Sequence, residues 1–495
     1  MGGRMSVTHD VLVALCVASV TLAMVPVAAG VYQYVLVPVH AFRNHLDRAA
    51  PSLPRVVVVV PAWNEGAVIG ASIDRLMALE YPPDRLRVVV VDDASTDDTP
   101  DVVRAKAAAH PGRVVHLRRE QGGQGKAHTL NHGIAHALAD DWMQALLIMD
   151  ADVIYRPDSL RRMTRHLADE RVGAVTAFIR EGSAHPGAVS RFIGYEYVTA
   201  QAAARRAQNV MGAMACLAGG AQLHSRANLE AIGGAVDTST LAEDTFTTFL
   251  TQLDGRRVVF DGSAVVLAEE PDSVAALWKQ RVRWARGNAQ ITNRFSHVWM
   301  RPGSPLGRFD FGLVWFSVFL LPLFMTLATL GFVGLYLLEP DVARATFGRW
   351  WAVGVVAYVF ITTTGLLIDR DTARRSWFEA LTFPGLGALV VISAAFWPMW
   401  WTETVPGWFD LHLLPVGVTA WTLVFYSWPV LAMVLAWGVR AAETTRALRW
   451  LSRPLLYVVG FGPVLCAITL DAYVREWRGA AAVWDKTEKT GRVLG

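Results

Sequence analysis

Apolar and polar positions divide the chain into three textures, and each predicts a different kind of element. The first is an apolar run over residues 11–37. As a helix it is long enough to cross roughly 30 Å of hydrocarbon. A cleaved leader is the competing reading, since Arg4 precedes the run and Val-Ala-Ala lies near Ala29. The run continues through Tyr32, Val35, Leu36 and Val37, beyond the apolar core of a leader, which favours a retained anchor. From about Phe42 to Asp310 short apolar runs alternate with helical patterns. Residues 55–60, 88–91, 114–117 and 145–149 read as strands. The Ile69, Ile73, Leu76, Leu79 spacing and residues 102–109 and 127–138 read as the helices between them. Continuous apolar strands alternating with helices predict a mostly parallel, doubly wound α/β sheet covered on both faces. Ligands are then expected beyond the carboxyl ends of its strands. After Asp310 the apolar texture returns at about 311–338, 350–368, 380–400, 414–438 and 454–470, with Trp350, Trp351, Trp400, Trp401 and Trp408 near run ends.

These textures predict an anchor over 1–42, a soluble domain over 43–290 and an amphipathic interfacial helix over 291–310. A membrane bundle over 311–472 and a basic tail over 473–495 follow. The 495 residues are 53% hydrophobic and include 19 tryptophans. The mean hydropathy of +0.31 is too apolar for an ordinary soluble enzyme. Lys+Arg 46 against Asp+Glu 43 leaves no basic excess for a nucleic-acid partner. Cys16, Cys216 and Cys466 are too scattered for a disulfide framework or a cysteine-based zinc site. Residues 369–379 carry Arg370, Arg374 and Arg375, and 439–453 carry Arg440, Arg446, Arg449 and Arg453. Residues 401–413 hold Glu403 and Asp410 with no Lys or Arg. The positive-inside rule puts the first two loops, and with them the soluble domain, in the cytoplasm. The tail, with Arg475, Arg478, Lys486, Lys489 and Arg492, then falls outside if every run crosses. The short 454–470 run, broken by Gly460-Phe461-Gly462-Pro463, is therefore expected to be re-entrant or interfacial.

Three acidic clusters fall at predicted strand ends or helix starts: Asp92-Asp93, Asp150-Ala151-Asp152 and Glu243-Asp244. In extended backbone residues i and i+2 point to one side, so Asp150 and Asp152 can face one ion. Mg²⁺ favours such hard oxygens and keeps positions open for phosphate. The plainer reading is a polar loop that caps the helix near Pro157-Asp158-Ser159. Asp97 and Asp98 read as first-turn acids behind a Ser95 or Thr96 cap. Gly122-Gly123-Gln124-Gly125-Lys126 is not a phosphate loop, because Glu120 stands where its first glycine belongs and Ala127 replaces the metal-binding hydroxyl. Lys126 at a helix start can still meet a phosphate. His128, His132 and His136 share one helical face, which reads as exposed rather than metal-binding. In Gln280-Arg281-Val282-Arg283-Trp284 an indole can stack on a sugar and an arginine can fork onto phosphate. A basic helix on anionic lipid, using Arg281, Arg286 and Arg294, is the alternative.

In order, Pro61-Ala62-Trp63-Asn64-Glu65, Asp92-Asp93, Asp150-Ala151-Asp152, Glu243-Asp244 and Gln280-Arg281-Val282-Arg283-Trp284 precede a membrane bundle. This resembles the membrane-integrated family 2 glycosyltransferases of GT-A fold, such as the bacterial cellulose, chitin, hyaluronan and poly-N-acetylglucosamine synthases. The resemblance implies a Rossmann-like cytosolic domain inserted between transmembrane helices. It also implies inverting, processive transfer from a UDP-sugar, UDP-glucose or UDP-N-acetylglucosamine, to a β-linked polysaccharide that is exported across the bilayer. It assigns Asp244, with Glu243, to base catalysis. Pro61, Asn64, Glu65, Asp92 or Asp93, Lys126, Asp150 and Arg283 fall to the nucleotide-sugar, and Gln280 and Trp284 to the acceptor. Asp152 with Asp150 is left to hold Mg²⁺ or Mn²⁺. Ala242 and Ala94 depart from the family's Thr-Glu-Asp and Asp-Asp-Gly. A bacterial inner-membrane location and a cytoplasmic tail near the domain go with the resemblance, and accessory subunits stay open. A non-processive enzyme glycosylating a lipid shares the same motifs. A non-catalytic channel subunit would have lost Asp152 or Asp244.

Overall fold

The computed structural model describes residues 2–43, 48–410, 414–481 and 493. The chain opens with helices α1 (Gly2–Leu22) and α2 (Val25–Phe42), so the first apolar run is two helices that meet just before Pro26. It separates into two compact units. One comprises residues 1–33 and 313–474, the other 34–312 and 475–495.

The second unit is built on an eight-stranded sheet of order β3-β2-β1-β4-β7-β6-β8-β5. Its first half follows the pattern expected from sequence. Here β1 (Val56–Ala62), β2 (Leu86–Asp92), β3 (Val114–Arg118) and β4 (Ala145–Ile148) are parallel. They alternate with α3 (Gly66–Met77), α4 (Thr99–Ala109) and α5 (Lys126–Leu138). Val57, Val59, Val89, Val91, Leu146 and Ile148 turn one sheet face to Leu130 and Ile134 of α5. Gly133 lets that helix approach, since a Cβ there would lie 2.6 Å from a methyl of Val59 and 2.8 Å from one of Val91. The alternate residues Val56, Val58, Val60, Val88 and Val90 are buried as well, as a sheet covered on both sides requires.

The remaining strands are β5 (Ile154–Tyr155), β6 (Val172–Glu181), β7 (Gln222–Ser225) and β8 (Arg257–Ala268). Here the sheet departs from a simple doubly wound order. β7 runs antiparallel to both β4 and β6, β5 antiparallel to β8, and only β6 and β8 are parallel. Helices α6 (Ser159–Thr164), α7 (Ala188–Glu196), α8 (Ala204–Met211), α9 (Arg226–Ala231), α10 (Glu243–Leu253) and α11 (Val274–Arg294) connect them. A π-helical stretch, Tyr197–Ala203, joins α7 to α8. The expected interfacial helix over 291–310 is not formed: α11 ends at Arg294, and turns with one short 3-10 helix, Pro305–Gly307, follow to residue 308. Pro302, Gly303, Pro305 and Gly307 supply the reason, because each breaks helical continuation. Arg281 and Arg286 do not face lipid either. Both are buried, in ion pairs with Glu196 and Glu476.

The first unit is helical. After α12 (Phe309–Phe319), which straddles the boundary, come α13 (Leu321–Leu338), α14 (Pro340–Ile368), α15 (Arg370–Leu381) and α16 (Leu386–Phe396). A single turn, α17 (Val405–Gly407), precedes α18 (Pro415–Thr444), α19 (Arg449–Val459) and α20 (Phe461–Trp477). Among the described residues four helices, Val7–Phe42 (α1 with α2), α13, α14 and α18, are long and apolar enough to cross a membrane. The count reaches six if the bent pairs α15–α16 (60°) and α19–α20 (102°) each form one span. Phe332, Phe347 and Tyr426 pack at the centre, with ring centroids 5.0 Å (Phe332–Phe347) and 4.3 Å (Phe347–Tyr426) apart.

Candidate active site

The site is assembled where parallel strands end. Beyond β1, Asn64 takes a left-handed conformation (φ 52°) and donates its amide to Ser95 Oγ at 3.0 Å, while its Oδ1 accepts from Thr96 N at 2.8 Å. Glu65 N donates to Thr99 Oγ1 at 2.8 Å. The Pro61–Glu65 stretch is thereby laced to the loop after β2. Asp97 does the capping expected of Ser95 or Thr96. Its carboxylate accepts from Thr99 N (3.0 Å) and Gly66 N (3.1 Å), so it serves the first turns of α4 and α3 together. Burial opposes ionisation of Asp97, but these hydrogen bonds outweigh it and hold its carboxyl below the usual range.

Asp92 is fully buried and saturated: Oδ1 accepts from Ser95 N at 2.8 Å, and Oδ2 meets Arg118 at 2.5 Å and His116 at 3.3 Å. Asp93 pairs with Arg119 and accepts from Gly123 N at 3.0 Å. It thus fixes the glycine-rich loop that leads into α5. Gly122 is required by closeness, because a Cβ there would lie 2.1 Å from the Asp93 carbonyl oxygen.

At the first residue of α5, Lys126 reaches Asp150 Oδ1 at 2.5 Å and Glu243 Oε1 at 3.7 Å. One ammonium therefore joins the end of β4 to the start of α10, across 117 positions of sequence between Lys126 and Glu243. Burial alone lowers a lysine pKa. Here Asp150, Glu243 and Asp244 outweigh it and hold Lys126 above the ordinary lysine range. Burial lifts the Glu243 carboxyl above its usual range, opposed by Lys126 and Arg283 and reinforced by Asp244.

Asp244 Oδ1 accepts from Thr245 N at 2.7 Å, and its Oδ2 lies 3.3 Å from where a Gly219 side chain would begin. A Cβ on Gly220 would sit 3.4 Å from Asp150 Oδ2. The Gly219-Gly220 backbone is therefore a floor without side chains between the two carboxylates, where a ligand can approach closely. Cys216 and Arg205 stand beside Asp244. Burial, then Asp244, pushes the Cys216 thiol up, while burial lowers Arg205 against the pull of Cys216 and Asp244.

Asp150 and Asp152 offer the hard oxygens that Mg²⁺ or Mn²⁺ prefers. Among the described residues no three His, Cys, Asp or Glu side chains gather as a metal cage. The extended backbone expected of Asp150-Ala151-Asp152 is not formed: β4 ends at Ile148, and Val153 N donates to Asp150 O at 3.2 Å, so the two acids sit on a turn. A carboxylate pair there still fits an ion whose other positions belong to phosphate and water. His128, His132 and His136 are exposed on α5, as expected.

In α11, Gln280 and Arg281 are buried and Arg283 and Trp284 half-buried. Gln280 Nε2 donates to Glu270 at 3.2 Å, so its amide is engaged inside the domain. Gly287 closes α11 onto the residue before Glu243, since a Cβ there would lie 2.7 Å from the Ala242 Cβ. Lys126, Asp150, Glu243 and Asp244 thus come together, and Arg283 acts on Glu243. Asp92 is instead a strut inside the sheet end. Sequence reasoning passed over Glu196, Glu270, Arg205 and the Gly219-Gly220 floor. Only the paired glycines carried a visible signal.

Residues 54–287 match the family described as "Glycosyltransferase like family 2". A probable glycosyltransferase, YdaM, of Bacillus subtilis is 31% identical over 270 residues, covering 54% of this chain and 63% of that protein. The beta-monoglucosyldiacylglycerol synthase of Synechocystis is 31% identical over 255 residues (51% of each chain). The poly-beta-1,6-N-acetyl-D-glucosamine synthase of Staphylococcus aureus is 27% identical over 251 residues (50% of this chain, 58% of that protein). The chain thus spans between about half and two thirds of the length of these curated relatives. Among solved structures, a mannosyltransferase of Pyrobaculum calidifontis in complex with GDP-Man and Mn²⁺ superposes with a TM-score of 0.54 at 25% identity. That likeness covers 74% of this chain and 99% of the other. The strand order, the motifs gathered beyond the carboxyl ends of the parallel strands and the superposition agree on the GT-A fold for the domain whose residues 54–287 match the glycosyltransferase family 2 model.

Proposed function

We propose that the protein is an inverting, metal-dependent glycosyltransferase that moves a sugar from a UDP-sugar to the end of a growing β-linked polysaccharide and exports the product. The observation that carries this reading is Lys126 between Asp150 and Glu243, with Asp244 beside them. A basic group at a helix start, beside an acid that follows β4 and the acids that open α10, supports displacement of a diphosphate.

Asp244 takes the proton from an acceptor hydroxyl as that oxygen attacks the anomeric carbon. The bond from that carbon to the diphosphate oxygen breaks, and the electron pair leaves with the nucleoside diphosphate. Lys126 and Arg283 face the charge that develops there. Mg²⁺ or Mn²⁺, held by Asp152 and Asp150, supplies further neutralisation of the diphosphate when bound. Asp93, Asn64, Glu65 and Pro61 line the nucleotide side, with Asp93 preferred to the saturated Asp92. Trp284 carries the acceptor sugar, with Gln280 behind it. Attack opposite the leaving group converts an α-linked donor into a β-linked product.

The Staphylococcus relative's name supports a polysaccharide product and N-acetylglucosamine. The Synechocystis relative supports the second reading, single transfer to a lipid. The apolar helices support a multi-pass protein of a bacterial inner membrane with the domain in the cytoplasm. The test is a panel of UDP-sugars, with GDP-mannose as control, on purified protein with Mg²⁺ or Mn²⁺, followed by product sizing and linkage analysis. A glycanase-sensitive polymer is expected. A glycolipid of fixed mass selects the second reading, and no transfer from any UDP-sugar overturns both. Asp244→Asn and Asp152→Ala should each reduce transfer at least a hundredfold while UDP binding by the Asp244→Asn protein persists.

A further inference from the structure

We propose that Glu196 is a positioning residue for the acceptor, acting through Arg281 on the indole of Trp284; the inference rests on the acceptor role of Trp284 proposed above. α7 ends at Glu196, and the chain widens into its π-helical stretch at the next residue. Such widened turns redirect side chains and recur at functional sites. Glu196 Oε2 accepts from Arg281 Nη2 at 2.8 Å, and the Arg281 guanidinium lies 3.9 Å from the centre of the Trp284 ring. Tyr197 donates to Glu270 Oε1 at 2.6 Å, and Gln280 donates to Glu270 Oε2 at 3.2 Å. Two carboxylates from outside α11 therefore hold Gln280 and Arg281, the first two residues of its Gln-x-x-Arg-Trp motif.

The guanidinium covers one face of the indole, so only the opposite face is left for a sugar ring. Glu196 sets the plane of that guanidinium by holding one of its nitrogens. Arg281 is buried, and without its anion it turns toward the remaining carboxylate, Glu270, and releases the ring. The indole then has to be ordered each time an acceptor binds, which weakens acceptor binding and leaves the donor side as it was. Losing one pre-ordered side chain predicts a rise of about two- to tenfold in acceptor KM.

The experiment uses full-length protein in detergent. Added tetrasaccharides of β-linked glucose or N-acetylglucosamine serve as acceptor, and UDP binding and UDP-sugar hydrolysis are followed separately. Glu196→Gln should raise acceptor KM by that factor while UDP binding and donor KM stay unchanged. In the Trp284→Ala background the same substitution should add nothing. The Glu196→Met/Arg281→Met pair, which replaces the buried ions with packed apolar chains, should show the same acceptor defect with UDP binding retained. Additive effects of Glu196→Gln and Trp284→Ala, or a donor KM that rises in parallel, overturn the positioning role alone. Unchanged tetrasaccharide transfer by Trp284→Ala, or a wild type that transfers only to diacylglycerol, overturns the acceptor reading beneath it.

Discussion

Ala94 stands where the resembling family carries glycine, and its backbone shows what that costs. Its φ of 55° is the left-handed region, which penalises a Cβ by roughly 1–2 kcal/mol. The turn keeps its shape because Asp93 N donates to Ala62 O at 2.8 Å and Ser95 N to Asp92 at 2.8 Å. Ala94→Gly should therefore stabilise the domain by about 1 kcal/mol, less the entropy that glycine adds to the unfolded chain, without changing donor affinity. A lowered midpoint of thermal unfolding would count against this. Gly287 argues the opposite case. A methyl there meets Ala242 at 2.7 Å and its amide nitrogen at 3.0 Å, directly before Glu243 and Asp244. Gly287→Ala should shift the start of α10 by a few tenths of an ångström and lower kcat about tenfold or more, with folding retained and UDP still bound. Equal turnover by the variant and the parent would show that this contact does not set the base. The small residue at 242 also accounts for one departure noted in the sequence, because α11 lies directly against it.

At the scale of elements, an acid inside a strand illustrates what pattern alone does not convey. Asp261 on β8 is buried, and its carboxylate meets Arg165 Nη2 at 2.7 Å, His166 Nε2 at 2.9 Å and Ser263 Oγ at 2.6 Å, tying β8 to the turn after α6. Burial raises its pKa, but the hydrogen bonds and charges of His166, Ser263 and Arg165 prevail and hold it well below the carboxylate range. A depressed native value means stability that is present above the unfolded pKa of about 3.9 and lost as pH falls from there toward the native value. Asp261→Asn should thus cost about 3–5 kcal/mol at pH 7, with the difference from wild type narrowing only below about pH 4. Unfolding curves of both proteins at pH 7 and pH 3 test it. Nothing in Phe260-Asp261-Gly262 marks this lattice, because its arginine and histidine lie 96 and 95 positions upstream. The first four strands and three helices were legible because each is a local apolar period with turn residues at its ends. The direction of β7 was not. Gln-Leu-His-Ser is short and polar, and its antiparallel pairing with Leu146 and Val175 is set by the path of the chain through α7 and α8. Likewise Lys126 was legible as a helix start and Asp150 as a strand end, but their ion pair depends on both ending at one edge of the sheet.

For the whole molecule one ion pair constrains how many apolar runs are expected to cross a bilayer. Glu476 pairs with Arg286 of α11 at 2.9 Å, and Arg286 also donates to the Ala480 and Ala481 carbonyls at 2.5 and 3.0 Å. Residues 475–481 therefore belong in the compartment of the glycosyltransferase domain. Residues 484–492, the charged part of the expected tail, lie outside the described residues. An even number of crossings must then separate residue 312 from residue 475, although five apolar runs intervene. One run has to return on its own side. The sharper bend belongs to α19–α20, at 102° against 60° for α15–α16, so α19–α20 is the segment expected to return. Glycine permits both bends. Gly385 (φ 95°) and Gly460 (φ 93°) are left-handed, and a Cβ on Gly460 would lie 2.4 Å from the Gly385 amide nitrogen, so neither position accepts a side chain without separating the two. Four crossings predict residues 369–379 and 445–453, with their arginines, on the domain's side of the bilayer and 401–410 on the other side. Parity and charge bias point to one topology. With Cys16, Cys216 and Cys466 replaced by alanine, single cysteines at Arg374 and Arg478 should react with an impermeant thiol reagent only in inside-out vesicles. A cysteine at Glu403 should react only in right-side-out ones. Arg478→Cys labelled from the same side as Glu403→Cys would mean that α19–α20 crosses after all and that the Arg286–Glu476 contact does not form in the membrane.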